Sequence, residues 1–433
     1  FLPEHASRAQ RGIAVRVVAS SLGITAVLCS VLLCGVLLAR SVFLGHAPDG
    51  EFDARLLLWF SVTTFAVAIK LVLYGGFNGL RRFGSQTFFE TGTLVAQTVW
   101  MALEADSLTL VRLFEIVGVT SLAAAVAAMP WFALRLRRDV GTGGTPLASS
   151  SLRTYWWGAA GLSVVALAFT DADRWVLSNV LALEALALFH VASRVARLAS
   201  RFIAIPVLAF QPEVTRVASE GRSEMVALST RAFFKASVVA SVFAGGAIAV
   251  FANDLIRLAS SDAFLSARPT LWLLAASLPL SAMTAPLTAV MKALDGVRSA
   301  LVCDLAWAGV YLTLLLALAG PMGVVGAGVA QFVACVVQLV AANRLASVKP
   351  RAGDAWASLS KSVVCAAVAF APAVVVSAIG APRLAAWALG LAAFWIYVRA
   401  ARRLRILADD ERARLRQALA GHGLARGLVW WMP

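Results

Sequence analysis

Hydrophobic residues run through this chain in long blocks instead of alternating with polar ones. Apolar stretches of helical length recur near 12–39, 54–78, 86–103, 109–134, 152–170, 176–206, 229–252, 269–291, 299–319, 323–343, 360–380 and 383–400. A bilayer core is spanned by about 20 apolar residues in a helix, so about 12 such blocks predict a polytopic bundle. Barrel strands would instead alternate apolar and polar residues over short segments. The expected fold class is therefore all-α and membrane-embedded, with little mass outside the bilayer.

Composition agrees and excludes alternatives. Of the 433 residues, 60% are hydrophobic and only 14% charged, against roughly 25% charged in a typical soluble domain. A soluble enzyme, a disordered chain and a secreted disulfide scaffold are all ruled out. Net charge is +15. Nucleic acid could answer such a balance, but Lys and Arg collecting on the cytoplasmic side against anionic lipid account for it. Anionic membrane lipids are thus expected partners, and nucleic acid is not. Cys29, Cys34, Cys303, Cys335 and Cys365 all fall inside apolar blocks, without metal or redox spacing, and read as packing residues.

The connections alternate in charge. Arg8 and Arg11, then Arg81 and Arg82, then Arg135, Arg137, Arg138 and Arg153 fall on one side, joined by Arg216, Arg222, Arg231, Lys349, Arg351 and Lys361. Asp49, Glu51 and Asp53, then Glu104 and Asp106, then Asp171 and Asp173 fall on the other. The positive-inside rule puts both ends of this chain in the cytoplasm. The longest non-helical stretches are expected there, near 135–151, 207–228 and 344–359. The first is rich in Gly141, Gly143, Gly144 and Pro146, the mark of a flexible linker. The organisation expected is an N-terminal lobe at 1–138, a linker at 139–151, a C-terminal lobe at 152–345, an additional helix pair at 346–400 and a basic tail at 401–433. In the tail, Asp409 is placed to cap a short surface helix with Leu415 and Leu419 on one face, and Trp430 and Trp431 suit the interface.

An imperfect internal repeat supports the two lobes. Asn78-Gly79-Leu80-Arg81 corresponds to Asp295-Gly296-Val297-Arg298, Val17–Ser20 to Val238–Ser241, and Phe1-Leu2-Pro3-Glu4 to Phe210-Gln211-Pro212-Glu213. The matches keep their order at similar offsets, as a parallel duplication would. Two predicted helices precede Phe210-Gln211-Pro212-Glu213 in the second copy and none precedes Phe1. The expectation is a first lobe of four helices lacking its first two, beside a second lobe of six.

Ionisable groups inside spans mark candidate chemistry, because each is costly in lipid. His190, Arg194, Arg197 and Arg201 follow one another at four, three and four residues, which places them on one helical face. Guanidinium forks suit phosphate oxygens, so this stripe could hold a diphosphate head group. Snorkelling to lipid phosphates is the competing account, strongest for Arg201. Lys70 is a second cavity candidate; snorkelling explains Lys292 better. Glu90, Glu184 and Asp304 could carry a coupling proton or sodium ion, or pair with arginines in a static network. No Walker loop, serine elbow or zinc-binding helix motif occurs, so no catalytic residue, metal site or cofactor is expected. Asp171-Ala172-Asp173 has metal-pair spacing but reads as a loop charge cluster.

Against these residues the chain resembles the polysaccharide transporters, the Wzx-type flippases of the multidrug/oligosaccharidyl-lipid/polysaccharide exporter superfamily. Four segments carry the likeness: the helix at 152–170 with its Asp171–Trp175 exit, Phe189-His190-Val191-Ala192-Ser193-Arg194, Phe210-Gln211-Pro212-Glu213, and Gly323–Gly328 with Ala327 and Gln331. His190 departs from the family's usual Tyr, and Pro212 would end the eighth helix. The resemblance implies two helical lobes around a central cationic cavity. It implies export of a lipid-linked oligosaccharide across the bacterial inner membrane by alternating access, alongside a polysaccharide polymerase and glycosyltransferases. A lipid II flippase and a cation-coupled drug antiporter share that fold. A membrane glycosyltransferase or polymerase belongs to a different class, and would want a sizeable outer loop.

Overall fold

A computed structural model describes residues 21–27, 29–31, 33–34, 54–79, 83–104, 107, 109–139, 176–378 and 383–419. Among them every regular element is a helix. Most of the span near 12–39, the span at 152–170, the Asp171–Trp175 exit, the linker at 139–151, Phe1–Glu4 and the Trp430–Trp431 pair lie outside the described residues. Among the described residues, six helices are long and apolar enough to cross a membrane. The chain divides into two compact units, Phe1–Leu152 and Arg153–Pro433.

In the first unit α1 (Ala54–Gly79), α2 (Phe83–Leu103) and α3 (Leu110–Asp139) form a three-helix group. Leu73, Tyr74 and Phe77 of α1 pack on Ala125, Ala128 and Phe132 of α3. Phe77 sits edge-on to Phe132 with centroids 5.3 Å apart, and Gly76 leaves room for that ring, which a Cβ would meet at 2.7 Å. At the α2–α3 turn, Arg112 is bonded to Glu104 (Nη2–Oε1 2.6 Å) and Glu115 (Nη1–Oε1 2.8 Å). The Trp100 indole N–H donates to Glu104 at 2.8 Å. This knot answers the charges left where two helices emerge side by side.

The second unit begins with a helical stretch at 176–180 and a break at 181–182. Then come α4 (Leu183–Ser219), α5 (Ser223–Val250), the short α6 (Ala252–Ala259), a 3-10 turn at Asp262–Ala267, α7 (Arg268–Val290) and a π turn at Met291–Asp295. They are followed by α8 (Val297–Leu345), α9 (Ala352–Ala378), α10 (Arg383–Arg403) and α11 (Asp409–Leu419). Within α8 the backbone breaks at Gly323 (φ 58°, ψ −140°), so the expected spans at 299–319 and 323–343 are the two limbs of one kinked helix. The limbs close on each other: a Cβ on Gly326 would stand 2.3 Å from the Leu318 carbonyl oxygen. On α7, Pro279 has no N–H to offer the Ala275 carbonyl. Gly245 of α5 approaches that oxygen, which a Cβ there would meet at 3.0 Å.

Two expectations need correcting. The stretch at 207–228 is not a loop: α4 runs through Pro212 to Ser219, and α5 starts at Ser223. Proline costs one backbone hydrogen bond, but Phe210, Val214 and Val217 are fully buried, and that packing carries the helix onward. The stop is set by Gly221 (φ 73°), whose N–H reaches Ala218 O while that of Arg222 reaches Val217 O, a Schellman close. The tail helix α11 is likewise no free surface element. Leu407 and Leu415 are buried in a cluster with Phe210, Phe233 and Val290. Its N-terminus is closed by Glu411, which accepts from the Ala408 N–H at 3.0 Å, and not by Asp409.

Gly323→Ala and Gly326→Val are each expected to lower the apparent melting temperature of the purified protein, since both strain backbone that cannot give way. Gly320→Ala is the control, because a Cβ there meets nothing within 4 Å. The ends of α2 and α3 generate a second expectation. Hydrogen bonds from Arg112 and then Trp100 hold the Glu104 carboxyl down to about 2. A depressed carboxylate contributes above the ordinary range near pH 4 and is lost only as pH falls through its folded value. Glu104 should therefore remain ionised at pH 4, checked by carboxyl carbon titration; a midpoint above that pH contradicts the knot.

Candidate functional site

The basic stripe lies on α4. That helix buries Phe189, Ala192, Ala196 and Ile203, which join clusters shared with α5, α7 and α8. These small and apolar residues recur on one side. Arg194 and Arg201, seven apart, come out on the opposite side and are exposed. His190 and Arg197 are half-buried between them. The hydroxyls of Ser193 and Ser200 bond back to the His190 and Arg197 carbonyls at 3.1 and 2.8 Å, which satisfies them within the helix. Arg194 and Arg201 thus lie on the face turned away from the core of this unit, with His190 and Arg197 at its half-buried margin. Arg194 and Arg201 make no ion pair among the described residues.

The other candidates are spread more widely. Glu184 is exposed in the first turn of α4, after the break at 181–182, where the helix dipole favours a carboxylate. Asp304 is half-buried in the first limb of α8 and accepts from the Gln338 amide of the second limb at 2.9 Å. Lys292, on the π turn, lies within electrostatic reach of that carboxylate. Lys70 and Glu90 belong to the first unit. Lys70 donates to the Ser121 hydroxyl of α3 at 3.3 Å and stands 6.0 Å from the Tyr74 ring centre. Glu90 is exposed on α2, beside the Gln86 amide at 3.5 Å. Gln97 of α2 bonds Thr120 of α3 at 3.0 Å, extending a polar seam through the three helices.

A second charged cluster escaped the sequence reading. Glu213 and Arg414 form an ion pair at 2.9 Å, each side chain 3% exposed. Arg216 also reaches Glu213 at 2.9 Å, and Ser229 accepts from Arg414 Nε at 2.7 Å. Lys235 pairs with Glu411 at 2.8 Å. The partners lie 176 and 201 residues apart, so no local spacing joins them. The one available hint was acidic residues, Glu213 and Glu411, set among arginines.

No protein-family model and no curated protein sequence matches the chain. Solved structures do. Lipid II flippase MurJ in an inward closed conformation superposes with a TM-score of 0.64 at 12% identity, over 94% of this chain and 90% of that one. A MATE protein in complex with MaL6 gives 0.65 at 15% identity, over 80% and 84%. A MOP superfamily transporter from Pyrococcus furiosus gives 0.61 at 14% identity, over 81% and 84%. With its apolar helices, its two compact units and these superpositions, the chain is a multi-pass helical membrane protein with the fold of the MOP superfamily transporters.

Proposed function

We propose that this protein is a flippase that moves a lipid-linked oligosaccharide across the bacterial inner membrane by alternating access. The observation that carries the proposal is the basic face of α4. Arg194 and Arg201 point away from their own unit's core with no acidic partner among the described residues. An arginine in hydrocarbon costs about 2.5–3.5 kcal/mol on insertion scales, and more by other estimates. Such a face is retained where something anionic meets it, and a diphosphate offers enough charge to engage Arg194 and Arg197 together. His190 completes the stripe, Arg201 is assigned to the head groups, and Lys70 is a separate cavity candidate within the first unit.

Both ends of this chain are assigned to the cytoplasm on the alternation of loop charge, with anionic lipids against the basic side. A polymerase and glycosyltransferases are the functional partners this reading calls for. Asp304, held by Gln338, is the leading ion-coupling candidate, with Glu90 and Glu184 behind it. A lipid II flippase is the second reading. It is supported by the superposition on MurJ, which covers 94% of the chain, where the MATE protein covers 80%. That difference also weighs against a drug antiporter.

Arg194→Ala and Arg197→Ala are each expected to leave membrane insertion intact and to cut glycan export at least tenfold, measured by complementation of an export-deficient strain and normalised to protein level. Lys should rescue only in part, because the fork geometry is lost. Full activity of both alanine variants ends the proposal, and rescue of a lipid II flippase depletion strain instead selects the second reading. Asp304→Asn should abolish any dependence of export on the ion gradient while preserving substrate binding. Unchanged gradient dependence removes Asp304 from the coupling role.

A further inference from the structure

The buried charges around α11 meet α4 at Glu213 and Arg216, farther along the helix that carries the basic stripe. After α10 the chain turns sharply at Arg405, a non-glycine residue in the left-handed region (φ 46°). The Ile406 N–H bonds back to Ala401 O and the Arg405 N–H to Arg402 O, so this is a Schellman turn with arginine where glycine is usual. The turn is held because Ile406 and Leu407 are buried at 3% and 1% exposure. It delivers α11 onto α4 and α5. Arg414 then bridges Glu213 of α4 and Ser229 of α5, and Glu411 receives Lys235. The added pair is itself fastened at the same end. Lys361 of α9 donates to Leu404 O at 3.3 Å, and the Tyr397 hydroxyl of α10 donates to Val239 O of α5 at 2.7 Å.

We propose that α11 is a strap that joins the added helix pair α9–α10 to the inner end of the stripe-bearing helix α4, so that these elements move as one body. The need for it is visible in the sequence of α4. Pro206 and Pro212 each lack an N–H, which removes two rungs of the helix ladder between Arg201 and Glu213. A helix weakened there would let its stripe half swing independently of its end. Two buried ion pairs and the Leu407–Leu415 packing fix that end to α5 and to the chain leaving α10. A buried pair stabilises little against an apolar substitute, but removing one partner leaves the other charge stranded. Specific pairing of this kind sets position more than stability. The inference deepens the reading of α4 as the substrate helix, and its test does not use transport.

Hydrogen exchange of the full chain in lipid nanodiscs tests it. Arg414→Ala is expected to speed exchange about 100-fold, as loss of a buried partner implies, both at residues 210–222 of α4 and at residues 399–407 closing α10. Should Arg414→Ala fail to fold, Glu213→Arg alone and the exchanged pair Glu213→Arg with Arg414→Glu provide the second measurement. The exchanged pair should recover at least part of the protection that the single change loses. Fraying confined to residues 409–419, with 210–222 as protected as in the parent, overturns the strap, as does an exchanged pair no better than the single change. Arg194→Ala should leave every one of these segments unaltered. A failed substrate site therefore shows in export alone, and a failed strap in exchange alone.

Discussion

A charge removed from water must find an opposite charge, a polar donor or a ligand, and this requirement organises the molecule more than any packing motif. The helices here are apolar enough that their own association specifies little beyond shape. Among the described residues, charged side chains meet one another where helices come together. Glu104, Arg112 and Glu115 neutralise one another where α2 meets α3. Glu213, Arg216 and Arg414 do so where α4 meets α11, and Lys235 and Glu411 do so beside them. Against that background the face of α4 bearing Arg194 and Arg201 stands out, because the unit that carries it supplies no counter-charge among the described residues.

Glycine and proline act in concert with this pattern. Small residues permit close helix contact where no hydrophobic force distinguishes one apolar surface from another. Gly245 sits against the carbonyl that Pro279 leaves without its intrahelical donor, and Gly326 lets α8 fold back on itself beyond Gly323. The kink leaves Asp304 and Gln338, 34 residues apart, in hydrogen-bond contact. A half-buried carboxylate is thereby held by a neutral amide, with Lys292 within electrostatic reach. In the first unit Lys70 lies beside a hydroxyl and an aromatic ring, with the Glu90 carboxylate within electrostatic reach.

The added pair and the strap give the second unit a different character from a bare six-helix lobe. Tyr397, Lys361 and the α11 contacts knit α9, α10 and α11 to α4 and α5. On the proposed reading of α4 as the substrate helix, such fastening offsets the two prolines that interrupt it.

Sequence by itself determined the class and most of the spans. Uninterrupted apolar blocks of about 20 residues have few alternatives to a membrane helix, since the backbone must satisfy its own hydrogen bonds there. It also placed His190, Arg194, Arg197 and Arg201 on one face, because helical periodicity is a local property. It misjudged 207–228, because Pro212 reads as a stop to any local rule while the burial of Phe210, Val214 and Val217 that overrides it is tertiary. It left Glu213, Lys235, Glu411 and Arg414 unpaired, since partners 176 and 201 residues apart leave no trace in spacing. And it could not tell that Arg194 and Arg201 face away from the core of their own unit. That is decided by which side of α4 meets α5, α7 and α8, a choice made by packing of Ala192, Ala196 and Ile203 and not by the arginines themselves.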